Sequence, residues 1–209
     1  IYGVNDVNQK FEKILKITND NQLSEEDIFK ITGVKQVVMT NNPFNNQENI
    51  ILRSNKDKKY LPSVRIDDLF NKTQDKTSNI SSYNLENLKN LKKTINYIDK
   101  LNISTKPAYF SLSTENFSEF KEDLFFKNFF SILRKTRTPM MLLIGVKRGV
   151  NKLYRDAGDG IGIVDLNKLE NILNKFPKNK FLVSCLDLKD QFRLSVIGRK
   201  FQNLKIVGF

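Results

Sequence analysis

The sequence predicts an α/β protein built around a parallel sheet, and three observations support this. Short apolar runs alternate with amphipathic helical segments from about residue 36 onward. Such alternation is typical of βαβ units, whose strands run parallel. The 209 residues, 39% of them hydrophobic, suffice for one domain with a sizeable core and are too few for two to be expected. No internal repeat or low-complexity linker divides the sequence.

The amino-terminal residues are predicted to be helical. Apolar residues fall at helical spacing in residues 8–18, which indicates a short helix. Ser24 begins a second helix, because its hydroxyl can cap the first turn and three acidic residues follow it, where the helix dipole favours negative charge. Gly33 is typical of the residue that ends a helix. Residues 1–33 are therefore expected to form a helical lead-in.

Short apolar, β-prone runs are predicted to be the strands, and turn-forming residues separate several of them from the next element. In chain order the six strands are residues 36–40, 60–66, 107–112, 140–146, 181–186 and 204–209. The run at 140–146 is apolar throughout, as is typical of a strand that is covered on both faces.

Helices are predicted between these strands. Residues 84–101 carry apolar side chains at steps of three and four, which indicates one amphipathic helix. A coiled coil is the alternative, and packing against the sheet is favoured because the stripe is short. A phenylalanine-rich helix covers residues 117–133, Asp165 caps the next helix, and residues 190–199 form the last. The polar residues 71–83 are predicted to form an exposed loop.

The composition excludes several kinds of active site. The chain contains no histidine, the commonest ligand of catalytic zinc and the usual general base near neutral pH. Neither a zinc site nor a Ser-His or Cys-His pair can therefore be assembled from this chain alone. Its one cysteine, Cys185, lies in an apolar run, so a buried structural thiol is favoured over a nucleophile. A single cysteine also excludes an internal disulfide and suits the cytoplasm.

The net charge of +12 allows two interpretations. A surplus of this size fits either a nucleic-acid partner or a lysine-rich, solvated surface. The second is favoured, because the basic residues are spread along the chain without a run of five or six. No apolar stretch approaches the ~20 residues that span a bilayer, so no membrane partner is expected.

Five stretches are similar to sequence motifs of one enzyme family. Residues 34–43 resemble N-V-x-x-V-x-T-T-D-D-P, residues 61–67 resemble L-P-[ST]-x-R-P-D, and residues 144–151 resemble part of H-I-G-A-x-R-N-x-N. Residues 181–191 look like T-I-L-Y-C-L-N-P-R-D-N, and residues 207–209 end where the family continues into a paired tryptophan. In this order and spacing they resemble the uronate isomerases (glucuronate isomerase family) of the amidohydrolase superfamily, with this chain as a divergent member or a fragment.

The resemblance implies a (β/α)8 TIM barrel of amidohydrolase type. The six predicted strands would be strands two to seven of eight, so residues 1–209 would form one incomplete barrel domain. The complete protein would convert a hexuronate, glucuronate or galacturonate, between its aldose and ketose forms. In the family a divalent metal, expected to be zinc, is held by a His-x-His pair on strand one and an Asp on strand eight. Neither strand is in this chain, so no metal ligand or catalytic residue is assigned.

Three positions depart from the family's pattern. Leu143 stands where the family has a histidine of the metal site, and leucine cannot bind a metal. Lys189 replaces an arginine, and Asn41-Asn42 replaces an acidic pair. These departures leave a second hypothesis open, a non-catalytic barrel that binds a sugar acid or a protein partner. The oligomeric state is also left open, with a homo-oligomer among the alternatives.

Four residues are predicted to bind the substrate, because active sites of such barrels lie at the carboxyl ends of the strands. Arg65 matches the family's arginine, and a guanidinium suits a carboxylate because it offers two parallel hydrogen bonds. The alternative for Arg65 is a structural ion pair with Asp67 or Asp68. Arg148 is a second candidate anion binder, with an ordinary surface arginine as the alternative. Lys189 and Asp67 complete the set.

Overall fold

The computed structural model describes residues 24–70, 91–121 and 123–208. The helix predicted at residues 8–18 and the loop predicted at residues 71–83 lie outside the described residues. No helix of the described part is long and apolar enough to cross a membrane.

The chain divides into two compact units, Ile1–Val37 and Val38–Phe209. The described part of the first contains helix α1 (Glu25–Thr32), which begins and ends as predicted. The Ser24 hydroxyl accepts the Asp27 backbone N–H while the Asp27 carboxylate accepts the Ser24 backbone N–H, so the cap is reciprocal. Gly33 follows at φ 67°, a left-handed conformation that glycine adopts without a Cβ clash.

The second unit is built on a sheet whose strand order is β1-β2-β3-β4-β7-β8. The eight strands of the described chain are β1 (Val37–Asn41), β2 (Tyr60–Arg65), β3 (Phe110–Thr114), β4 (Met140–Ile144), β5 (Val146–Lys147), β6 (Gly160–Ile161), β7 (Phe181–Cys185) and β8 (Leu204–Ile206). The four pairings that join β2 to β8 are parallel, which confirms the α/β class and the parallel sheet. Among the described strands β1 and β8 are edges, so this sheet is open, and closure into a barrel stays a prediction.

Helices connect the strands of the sheet. After α1 they are α2 (Asn46–Ser54), α3 (described from Leu91 to Thr105), α4 (Asp123–Thr136), α5 (Leu166–Lys175) and α6 (Leu188–Gly198). The Asp165 carboxylate caps α5 by accepting the Asn167 backbone N–H, as predicted. Helix α2 was not predicted. It begins because the Asn45 side chain accepts the backbone N–H groups of Gln47 and Glu48.

The strand predicted over residues 140–146 is interrupted at Gly145, which corrects its extent. Gly145 has φ 80°, a conformation that L side chains rarely adopt, and the chain turns there. Beyond it β5 pairs antiparallel with β6, forming a small hairpin outside the main sheet. The Gly162 backbone N–H donates to the Gly145 carbonyl and closes the base of this hairpin.

The two faces of the sheet are buried to different degrees. On β3 and β4 the apolar residues Phe110, Leu112, Met140 and Leu142 are at most 1% exposed, and the Phe110 ring packs edge-on against Phe129 of α4. The alternate residues point to the opposite face, because side chains alternate along a strand. These alternate residues are only half-buried. The helix-covered face therefore supplies the core, and the other face is open to a ligand.

Candidate functional site

A cavity of about 240 Å³ lies on the half-buried face of the sheet. Its lining includes Arg65, Ser111, Ser113, Leu143, Arg148 and Ser184. Arg65 is the last residue of β2, and three of the others are next to last in β3, β4 and β7, so the cavity reaches the carboxyl ends of the strands. Its volume is below the ~300–1,000 Å³ typical of sites for drug-sized ligands, which suits a small metabolite.

The strand register arranges these side chains in rows. Arg65 pairs with Ser111, Ser113 pairs with Leu143, and Leu143 pairs with Ser184. Paired residues on neighbouring strands lie about 5 Å apart and point to the same face. The Arg65 guanidinium and the Ser111 hydroxyl therefore arise side by side at the cavity wall.

Arg65 makes no hydrogen bond or ion pair with another described residue. The alternative of an ion pair with Asp67 is not seen, since Asp67 pairs with Arg148 instead. The Ser111 hydroxyl also lacks a hydrogen-bond partner within the described chain. The Ser111 oxygen is itself buried, so Arg65 is the group at this wall that is suited to bind an anion.

Arg148 lies in the connection between β5 and β6 and binds two carboxylates. Its Nη2 donates to Asp67 Oδ1 at 3.1 Å, and its Nη1 donates to Asp159 Oδ2. The Gly149 backbone N–H donates to the other oxygen of Asp159 at 2.9 Å. Burial of the guanidinium opposes its charged form, but the contacts with Asp159 and Asp67 outweigh it and raise the pKa of Arg148. The side chain is half exposed, so it borders both the cavity and solvent.

Asp67 is buried and is not part of the cavity lining. It is 5% exposed, and its Oδ1 accepts the Ser113 backbone N–H at 3.2 Å as well as Arg148. Its Oδ2 has no hydrogen-bond partner among the described residues. These contacts anchor the end of β2 to β3, and a role for Asp67 in substrate binding stays a prediction.

Lys189 lies apart from the cavity lining. It is exposed on the first turn of α6, where its backbone N–H donates to the capping Asp187 carboxylate at 2.9 Å. Its predicted role in substrate binding also remains untested. The sequence interpretation did not single out Ser111, Ser113 or Ser184, and it placed Asp159 only in a glycine-rich stretch, residues 158–162, for which a turn was favoured over a phosphate-binding loop. The one available signal was the alternation of serine with apolar residues in β3, which places the serines opposite the core.

The residues of the cavity do not fit a metal ion. Its lining offers hydroxyl, guanidinium and apolar groups, whereas zinc is held by histidine, cysteine or carboxylate ligands. Within the described ranges no three His, Cys, Asp or Glu residues are placed to hold an ion together. Cys185 is buried in the core, and burial, with the nearby Asp190 and Asp187 charges, raises the pKa of its thiol to about 11. No metal-dependent step is assigned to these residues.

Comparisons with solved structures identify proteins of this shape. A uronate isomerase from Bacillus halodurans C-125 matches with a TM-score of 0.75 and 26% sequence identity, over 96% of this chain. This chain is therefore similar in fold to the uronate isomerases. A uronate isomerase from Thermotoga maritima has the same fold, with a TM-score of 0.67 and 15% identity over 95% of the chain. No protein-family model and no curated protein sequence matches this chain.

This chain spans about half the length of these structures, 50% of the first and 54% of the second. The structural match agrees with the resemblance drawn from the motifs of residues 34–43, 61–67, 144–151 and 181–191. The likeness extends over nearly the whole chain, and so includes the strands that carry Arg65 and Leu143.

Proposed function

We propose that residues 1–209 form one incomplete (β/α)8 barrel domain, containing strands two to seven, with residues 1–33 as a helical lead-in. The parallel strand order and the likeness to half of two uronate isomerases support this. An open sheet with edges at β1 and β8 suits a barrel whose remaining strands come from the rest of a longer protein.

We propose further that the complete protein is a uronate-isomerase-like enzyme of the cytoplasm that interconverts the aldose and ketose forms of a hexuronate. The observation that carries this is Arg65, a cavity arginine at a strand end without an ion pair among the described residues. A planar guanidinium can bind the sugar's carboxylate through two parallel hydrogen bonds. Arg148, Asp67 and Lys189 are the other proposed substrate-binding residues.

The chemistry assigned to this chain is binding and orientation. Arg65 would hold the acid group, and Ser113 and Ser184 in the cavity lining would hydrogen-bond sugar oxygens. Isomerisation also moves a proton between adjacent carbons, which requires a general acid or base. Neither that group nor a divalent metal is assigned to the described residues, so both would come from the rest of the complete protein.

A non-catalytic barrel that binds a sugar acid or a protein partner is the second candidate. Leu143 favours it, because it lines the cavity at the position where the family's metal-site histidine is expected. A leucine there can only pack against a ligand. The two candidates share the anion site at Arg65 and differ in whether the complete protein turns over its ligand.

The proposal is tested with Arg65→Gln and Arg65→Lys in binding measurements on this chain. We expect glucuronate to bind more tightly than glucose. Arg65→Gln should weaken glucuronate binding about tenfold to 100-fold, because it removes a charge-assisted pair of hydrogen bonds. Arg65→Lys should retain part of the affinity, since lysine keeps the positive charge but cannot donate two parallel hydrogen bonds to a carboxylate. Equal binding of glucuronate and glucose by the unaltered chain would reject the sugar-acid site.

Turnover separates the two candidates. The complete protein is assayed with glucuronate and galacturonate, with divalent metal supplied. Isomerisation of either acid supports the enzyme. Saturable uronate binding without any turnover supports the non-catalytic barrel.

A further inference from the structure

We infer that Asp159 restricts this cavity to ligands that carry a single negative charge. The inference rests on the proposed sugar-acid site and adds the residue that sets its charge selectivity. By pairing with Arg148, Asp159 leaves Arg65 as the unpaired guanidinium of the cavity lining within the described chain. The carboxylate of a monocarboxylate ligand can then pair with Arg65, whereas a second carboxylate on the same ligand has no unpaired guanidinium of the described lining to pair with.

The charges around Arg148 support this step. Its single positive charge faces two carboxylates, Asp67 at 3.1 Å and Asp159, so the cluster of these three side chains carries one net negative charge. A ligand carboxylate brought to Arg148 would have to approach both aspartates. Like charges placed together in a partly dry cavity cost free energy, and this cost is a means of specificity.

Asp159 is the partner of Arg148 that can be altered without disturbing the sheet. Asp67 is held inside by the Ser113 backbone N–H and its side chain is 7% exposed, whereas the Asp159 side chain is 20% exposed and belongs to the hairpin. Asp159 also accepts the Gly149 N–H, and Gly149 has φ 62°, a conformation suited to glycine. Asp159→Asn keeps an acceptor for that N–H, removes the charge and replaces the oxygen that binds Arg148 with an amide NH2 group.

The experiment measures binding of glucuronate, a monocarboxylate, and glucarate, the corresponding dicarboxylate, by titration calorimetry. We expect the unaltered chain to prefer glucuronate. In Asp159→Asn one arm of Arg148 is released, so the preference should shift toward glucarate by about tenfold at low ionic strength. The shift should shrink in about 0.5 M salt, because Arg148 is half exposed and salt screens such charges.

Asp123→Asn is the matched control. Asp123 also pairs with a cation, Lys175 at 2.7 Å, is largely exposed, and lies outside the cavity lining. Asp123→Asn changes the net charge of the chain by the same amount as Asp159→Asn, and it should leave the preference for glucuronate over glucarate unaltered. Asp159→Ser, which also keeps an oxygen near the Gly149 N–H, provides a second variant if thermal unfolding shows that Asp159→Asn does not fold.

The outcomes separate the inference from the proposed function. If the unaltered chain binds glucarate as tightly as glucuronate, or if neither Asp159 variant shifts the preference, the inference is wrong and the sugar-acid site stands. If the unaltered chain binds neither acid, the proposed function is wrong and the inference is lost with it.

Discussion

Asn42 uses both ends of its amide to hold the turn after β1. Its Nδ2 donates to Asp68 Oδ2, and its Oδ1 accepts the Phe44 backbone N–H at 3.0 Å. The residue is 6% exposed, so these bonds are made away from water. An aspartate cannot donate to Asp68, and this explains why an amide suits a position where the family has an acid.

Restoring the acid should therefore destabilise this chain. We expect Asn42→Asp to lower the free energy of unfolding by about 2–4 kcal/mol near pH 7, because a buried donor is lost and two carboxylates are placed together. Urea denaturation measures this change. Asn45→Asp is the matched control: Asn45 caps α2, and aspartate caps a helix as well as asparagine does, so its effect should stay within about 0.5 kcal/mol. Equal stability of Asn42→Asp and the unaltered chain would show that the amide bond to Asp68 is not needed.

Helix α4 packs against the sheet through a cluster of buried phenylalanines. The rings of Phe125, Phe126, Phe129 and Phe130 are at most 2% exposed and pack against one another and against β3. Their spacing places them on the inner side of one helix, and edge-on and stacked contacts between aromatic rings add to the burial of apolar area. The helix therefore fixes the sheet whose opposite face carries the cavity.

Truncating one of these rings should be costly. Phe129→Ala is expected to lower the free energy of unfolding by about 3–5 kcal/mol, because a fully buried ring leaves a cavity that the neighbours only partly fill. The control is Phe192→Ala on α6, a ring that is 74% exposed and should cost less than about 1 kcal/mol. Denaturant unfolding of both variants checks the contrast. Similar losses for the two would contradict the assignment of α4 to the core.

Much of the fold could be predicted because its signals are local. The apolar runs at 60–66, 181–186 and 204–209 contain strands β2, β7 and β8 with shifts of one to three residues at their ends. Helix α2 was missed because its apolar residues, Ile50, Ile51 and Leu52, are consecutive rather than at helical spacing, and its cap residue, Asn45, also fits a turn. The hairpin was missed because β5 and β6 are two residues each, too short for a periodic pattern.

The candidate site was predictable only in part. Arg65 was found because it matches the family's arginine at a strand end, and Arg148 because it follows the apolar run 140–146; the structure brings both to one cavity. The partners of Arg148 were not foreseen, since its contact with Asp67 joins residues 81 positions apart. Asp159 reaches Arg148 only because the hairpin folds back, so its importance follows from the hairpin that the sequence did not reveal.

The two edge strands of the described sheet, β1 and β8, carry exposed apolar side chains. Val38 on β1 is 38% exposed, and on and just after β8 Ile206 and Val207 are 45% and 37% exposed. Edge strands carry backbone N–H and C=O groups that lack partners on one side and can pair with another chain. In the proposed barrel these edges would be covered by the remaining strands.

This arrangement predicts self-association of the isolated chain. We expect its sedimentation coefficient to rise with concentration, because exposed apolar edges can pair between copies. Val38→Lys places a charge on the β1 edge and should reduce the association, whereas Ile50→Lys, at a helix position that is 67% exposed, should not. The complete protein should behave differently, because its additional strands would pair with β1 and β8 and remove the edges. If the isolated chain stays monomeric at all concentrations and Val38→Lys changes nothing, its edges are already protected, and the incomplete barrel would lose its support.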